Sequence, residues 1–183
     1  MGTIKATNIE PIADNGTVTL GSSGDQFTLA TGAKSSFLYP AFEAYLSSSQ
    51  TVSDSVTTKI QINTEVFDTD NCYDNSTNYR FTPTTAGKYF VYGGVRASNT
   101  AASQIRDATL RIYKNGSSYR MSDWRFADND IQRAGLSVNA IIDFNGSSDY
   151  VELFVNINDL GGGTSSANSD EKATFIGAYR IGS

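Results

Sequence analysis

The stretch FDTDNCYDNSTNYRFTPTTAGKYFVY, residues 67–92, decides how the rest of the chain is read. It opens on a polar turn, Asp68 to Asp74, and passes through the short alternating segment Arg80-Phe81-Thr82. Pro83 closes that segment, because proline cannot donate to a sheet ladder. Thr84-Thr85-Ala86-Gly87 makes a second turn, and Lys88 to Arg96 then runs as one strand. Its side chains alternate between faces, with Tyr89, Val91 and Val95 on one and Phe90 and Tyr92 on the other. Aromatic residues on both faces mean that neither simply meets water. One face is expected inside a sandwich and the other against a neighbour, most economically a second copy of the chain.

Composition narrows the class. A chain of 183 residues suits one domain, or one domain with an appendage. Only 18% of residues are charged, and Phe and Tyr supply ten each. With abundant Gly, Ser, Thr and Asn, this is an all-β profile with many turns. A net charge of −5 argues against a nucleic-acid partner, which needs a Lys/Arg surface to displace counterions. It argues equally against an electrostatic membrane anchor, and no apolar run is long enough for membrane insertion. Met1-Gly2-Thr3 leads into polar sequence without the pattern of a secretory signal, as expected of a virion protein released at lysis. Cys72 is the only cysteine, so no intramolecular disulfide forms. There is no histidine, which removes the commonest catalytic base and zinc ligand and excludes a Ser–His–Asp triad.

Residues 1–35 read differently from the rest. Thr17-Val18-Thr19-Leu20 and Gln26-Phe27-Thr28-Leu29 repeat one short apolar unit, with Gly21, Gly24 and Gly32 around them. Such units cannot bury an apolar face alone, and the pattern predicts a stacked or intertwined β stem. It loosely resembles the shaft and neck repeats of bacteriophage fibres. Residues 36–183 form the head. Strands are expected at Phe37 to Leu46, Thr57 to Phe67, Lys88 to Arg96 and Ala108 to Tyr113. Asn115-Gly116 is a strong hairpin turn leading into Ser117 to Trp124. Leu136 to Phe144, Tyr150 to Ile157 and Ala173 to Ile181 alternate apolar and polar residues and complete the set. Asp123 to Arg133 reads as a charged loop and Asp159 to Lys172 as a glycine- and serine-rich one. The natural packing of these segments is a jelly-roll sandwich.

The order of motifs from about Tyr39 to Ile181 resembles the globular head of complement component 1q, within the tumour-necrosis-factor-like jelly rolls. Pro40-Ala41-Phe42 is similar to the family's first strand. Phe67, Asn71 and Tyr73 resemble its Phe…Asn…Tyr turn, and Phe81, Gly87-Lys88-Tyr89-Phe90 and Tyr92 its aromatic strand. Ser148 to Leu153 is similar to the Gly-Asp-x-Val-x-Leu turn and strand. Ala173-Thr174-Phe175-Ile176-Gly177 resembles the closing Ser-Thr-Phe-x-Gly. Val91 stands where an aromatic is common, and a β-like segment replaces the collagen stem of animal members. The resemblance implies a ten-strand jelly roll that assembles as a trimer, binds ligands at its apex and sides, and is not catalytic.

Tyr89, Phe90, Tyr92, Phe175 and Tyr179 offer more aromatic surface than a thin sandwich core needs, since each ring can bury about 150–250 Å². They are the expected homotrimer contacts. The family's axial calcium loop maps most nearly onto Asp123 and Asp130, so a structural calcium is the one cofactor considered. Trp124 and Arg125, with Asp128 and Asn129, could stack on a sugar and bond its hydroxyls. Asp68, Asp70, Asn71 and Asp74 have the oxygen density calcium favours, but lack a calcium loop's glycine and closing Glu and read as a turn. No motif sets two carboxylates across a cleft for glycoside hydrolysis. The expected function is therefore a trimeric, non-enzymatic virion domain, such as a phage tail-fibre tip, binding a host-surface glycan or outer-membrane protein. The alternatives are an inert virion knob or trimerisation cap, and a secreted pattern-recognition or signalling protein.

Overall fold

The computed structural model describes residues 39–126 and 130–182. The expected stem, residues 1–35, lies outside the described residues, as do Asp128 and Asn129. The strands are β1 (Ala41–Tyr45), β2 (Gln50–Thr51), β3 (Thr58–Lys59), β4 (Thr64–Asp68), β5 (Tyr73–Asp74), β6 (Arg80–Phe81) and β7 (Gly87–Asn99). After these come β8 (Ile105–Lys114), β9 (Ser117–Arg125), β10 (Arg133–Phe144), β11 (Val151–Asp159), β12 (Ser165–Asn168) and β13 (Phe175–Gly182). The one helical element among the described residues is a 3₁₀ turn at Asp170–Lys172.

The expected all-β jelly-roll sandwich is the fold observed. One antiparallel sheet runs β2-β12-β7-β13-β1-β4, with β10 on the other edge of β7. We call it the first sheet. The second runs β5-β6-β11-β8-β9, with β3 also pairing β11. The long strand of the opening stretch, β7, is the spine of the first sheet. It pairs β10 along its length, β13 over Lys88 to Gly94 and β12 over Arg96 to Asn99.

The two sheets enclose an apolar core because their strands alternate. On β10, Ala134, Leu136, Val138, Ala140, Ile142 and Phe144 are buried while the residues between them are exposed. Val151, Leu153, Val155 and Ile157 of β11 face them from the second sheet with Leu110 and Ile112 of β8. Phe42, Tyr73, Phe81, Tyr89 and Phe144 form a buried aromatic cluster, its ring centroids 4.4–6.0 Å apart. Within it the Tyr73 hydroxyl donates to the Ile62 carbonyl at 2.9 Å and that of Tyr89 to the Thr85 carbonyl at 2.8 Å. These bonds satisfy hydroxyls that would otherwise be buried at a cost.

Several boundaries differ from the sequence expectation. The segment Thr57 to Phe67 is not one strand. Ile60 and Ile62 drop into the core between β3 and β4, whereas Val66 and Phe67 are exposed on β4. The segment Ala97 to Asp107, expected as a loop from its sequence, is a loop only between Asn99 and Ile105, and the glycine-rich loop before Lys172 contains β12. The charged loop expected from Asp123 starts three residues later, because β9 carries Asp123, Trp124 and Arg125.

Strand direction gives the sandwich two ends. Ala41, opening β1, pairs with Tyr179 near the close of β13, so the first and last described strands share one end. We call it proximal. At the opposite, apical end lie the connections β1–β2, β7–β8, β9–β10, β11–β12 and β12–β13. No helix among the described residues is long and apolar enough to cross a membrane.

Candidate functional site

The outer face of the first sheet carries the densest exposed aromatic surface. The register sets Ile141, Phe90 and Tyr179 in one row across β10, β7 and β13. The next row holds Asn139, Tyr92, Gly177 and Glu43, and the one after it Ser137, Gly94, Phe175 and Tyr45. The rings form a continuous chain: Tyr179 to Phe90 at 5.6 Å, Phe90 to Tyr92 at 6.0 Å and Tyr92 to Phe175 at 6.3 Å. Two glycines make this possible. A Cβ on Gly177 would lie 2.4 Å from the Tyr92 ring, and one on Gly94 would lie 2.6 Å from the Phe175 ring. Each ring therefore lies flat on the sheet over a missing side chain. The Tyr92 hydroxyl donates to Glu43 Oε2 at 2.8 Å. Burial and that carboxylate together push the Tyr92 phenol pKa well above its ordinary value.

Four of the five aromatic residues expected at a trimer contact thus meet on one surface. Tyr89 does not. It is 0% exposed and belongs to the core cluster with Phe81 and Phe144, because the alternation of β7 turns it inward. A side chain already covered within its own chain offers nothing to a neighbour.

The candidate ligand residues separate instead of converging. Asp123 pairs with Thr109 and Arg125 with Asp107, which sets both on the outer face of the second sheet. Trp124 lies between them and points to the other side of β9, opposite Ala108. It is 54% exposed and packs on Phe126 with the rings tilted at 42° and their centroids 6.1 Å apart. Asp130 precedes β10 next to the bridge between Ile105 and Ile131, with its Oδ1 buried and unbonded among the described residues. The described residues bring no three carboxylate, thiol or imidazole groups together as a metal site would need, so Asp123 and Asp130 do not form one with their described neighbours.

The acidic turn of the opening stretch uses its carboxylates internally. Asp74 Oδ1 accepts from the N–H of Thr77 at 2.9 Å and of Ser76 at 3.1 Å, and Oδ2 from the Asn78 N–H and side-chain amide. Asp68 accepts from the N–H of Tyr73 at 2.7 Å and of Asp70 at 3.3 Å. These are turn caps of the kind short acidic side chains make. The backbone bonds to Thr77 and Ser76 hold the Asp74 carboxyl well below the usual range. Cys72 sits buried beside the turn, and burial pushes its thiol pKa up, away from the reactive thiolate.

A polar cleft of about 400 Å³ opens on the apical end of the first sheet's outer face, beyond the aromatic rows. Ser98 and Ser166 pair across β7 and β12, Arg133 stands opposite Ser98 on β10, and Ser49, Asn99, Thr100, Gln132 and Asn168 complete the wall. Sequence reasoning missed it. Its members come from three separate strands and the loops beside them, and Ser165–Asn168 has no apolar alternation to mark it as a strand. A larger opening of about 650 Å³ lies around Cys72, Asp74 and Arg80 at the proximal end.

No protein-family model matches this sequence, and no curated protein does. Solved structures do match. The globular domain of zebrafish complement 1qA aligns with a TM-score of 0.52 at 13% identity, over 78% of this chain and 97% of that one. Eiger TNF from S. frugiperda aligns with a TM-score of 0.52 at 11% identity, over 77% of this chain and 91% of that one. The fold is that of the complement-1q and tumour-necrosis-factor-like jelly rolls. At such identities the likeness fixes architecture, and function must come from this chain's own surfaces.

Proposed function

We propose that this chain is the homotrimeric, non-enzymatic head of a virion appendage, a phage tail-fibre tip that attaches to a host-cell glycan or outer-membrane protein. The observation that carries the assembly is the aromatic face of the first sheet, with Tyr92 and Phe175 seated over Gly177 and Gly94. A surface whose rings lie flat over glycines suits close packing against another chain. Closed rotational symmetry hides such a surface without leaving a free copy of it. A three-fold contact is heterologous and needs a second patch. Tyr119 and Met121 on β9, 47% and 50% exposed, offer it on the second sheet, where the Tyr119 hydroxyl donates across to the Ile141 carbonyl.

Polarity supports the attachment reading. The first described strand, β1, joins the sandwich at the proximal end. The β7–β8 and β11–β12 connections lie at the opposite, apical end, where a target would be met. The short repeat around Thr17 to Leu29 is the support for a fibre. Native mass spectrometry of the full chain is expected to give a trimer, and a monomer at micromolar concentration would remove the assembly. Fluorescently labelled chain is expected to adsorb to some members of a panel of bacterial strains. Adsorption to none would leave only an inert cap.

A further inference from the structure

We propose that the apical cleft of the first sheet is a binding site for a carboxylate-bearing saccharide, with Arg133 taking the carboxylate. This rests on the attachment reading and names the ligand class. At about 400 Å³ the cleft has the volume of a small-molecule site and accommodates one or two sugar rings. Its lining residues carry hydroxyl, amide and guanidinium groups, with neither a carboxylate nor a large apolar side chain among them. Amides and hydroxyls both donate and accept, as sugar hydroxyls do. Such a lining suits a ligand that is polar all round better than it suits a peptide or a lipid.

The frame is fixed before any ligand arrives. Asn99 is almost wholly buried; its amide donates to Ser165 Oγ at 3.0 Å and its carbonyl accepts from the Ala101 N–H at 2.8 Å. Ser98 and Ser166 hydroxyls meet at 3.1 Å across the strand pair. Asn168 Oδ1 accepts from Arg96 Nε at 3.1 Å and from the Asp170 N–H at 2.9 Å, which leaves its amide hydrogens for a ligand. Gln132 makes no side-chain hydrogen bond among the described residues.

Charge selects the ligand further. The neighbouring cation, Arg96, is held by Asp170 at 2.6 Å and is already balanced. Arg133 has neither an ion pair nor a side-chain hydrogen bond among the described residues. The cleft therefore presents one uncompensated positive charge on a protein whose net charge is −5. A guanidinium fork matches a carboxylate in geometry as well as in charge. A single free charge is balanced by a singly charged carboxylate, whereas a phosphate carries more.

The test is titration of the full chain with glucuronate and with glucose, read by calorimetry and by saturation-transfer NMR. Glucuronate is expected to bind at least tenfold more tightly than glucose and to weaken as salt is raised. Arg133→Gln is expected to lose at least tenfold for glucuronate with an unchanged melting temperature, and Asn168→Ala to lose affinity as well. Arg106→Gln, an equal charge change elsewhere at the apical end, is expected to leave the affinity unchanged. Equal binding of glucuronate and glucose, no binding of either, or full affinity in Arg133→Gln would each overturn the proposal. Adsorption to the bacterial panel separates the two readings. Wild type and Arg133→Gln adsorbing equally would sink the saccharide site and leave attachment standing, whereas a wild type that adsorbs to no strain would sink attachment itself.

Discussion

The two ends of the first sheet use the same device for opposite purposes. Towards the proximal end, Gly94 and Gly177 remove a side chain so that the Phe175 and Tyr92 rings can lie flat. Beside the apical end, Gly162 and Gly163 do the same for amides. A Cβ on Gly162 would lie 2.4 Å from the Gln104 carboxamide, and one on Gly163 2.4 Å from Asn99 Oδ1. One end thus presents a smooth apolar surface and the other a rigid polar one. An apolar surface gains by being covered permanently, at about 25 cal/mol per Å². A polar surface gains little from burial unless each group finds a partner. One sheet is therefore suited to an obligate contact at one end and an exchangeable one at the other.

The largest expected effect comes from charging the smooth end. Phe90→Asp combined with Tyr179→Asp is expected to convert the assembly to folded monomers, with a threefold drop in mass by light scattering and an unchanged circular dichroism spectrum. Central aromatic residues of an interface each contribute about 2–4 kcal/mol. Loss of fold together with loss of mass would instead make the two faces equivalent. Gly177→Val is expected next, at about 1–3 kcal/mol in urea unfolding, because the Tyr92 ring must leave its seat.

At the polar end, Asn99→Ala is expected to cost about 1–2 kcal/mol. It removes a buried bond to Ser165, whose hydroxyl keeps its bond to Asp159, and leaves the half-buried Ala101 N–H without its acceptor. Tyr92→Phe leaves the ring seated and is expected to cost only about 1 kcal/mol through the bond to Glu43. The smallest effect lies on the second sheet, at Asp74. Its folded pKa is depressed, so its contribution to stability is present above the unfolded value of 3.8 and is lost as the pH falls through and below it. Asp74→Asn is expected to flatten the acid limb of a melting-temperature profile below about pH 4 and to leave assembly untouched.

Much of the fold was legible because most strands have one wet face. Leu136 to Phe144 and Tyr150 to Ile157 alternate cleanly and are both strands. The turn between them does not make the expected pair, however: β10 pairs β7 in the first sheet and β11 pairs β8 in the second. Asn115-Gly116 was legible because both residues take positive φ, 51° and 77°, as a tight hairpin turn demands. Alternation showed that Tyr89 and Phe90 face opposite ways but not which of them meets the core, and Tyr89 was misjudged for that reason. Ile60 and Ile62 suggested a continuous strand because period two does not distinguish a strand from an extended loop laid against the core. Trp124 was placed in a loop by its charged neighbours, yet those charges line the outer face of the same strand. The cleft left no mark in the sequence. Serine and asparagine look alike in spacers and in walls until pairing with β7 brings Ser166 opposite Ser98.

The proximal entry of β1 has a mechanical consequence. Tension applied between the start of β1 and the apical end is directed along the strands. β1 lies between β13 and β4, paired with β13 from Ala41 to Tyr45 and with β4 from Phe42 to Tyr45. Tension along β1 therefore shears those rungs together, whereas peeling would break them one after another. The first strand is clamped on both sides, in the geometry that best resists force.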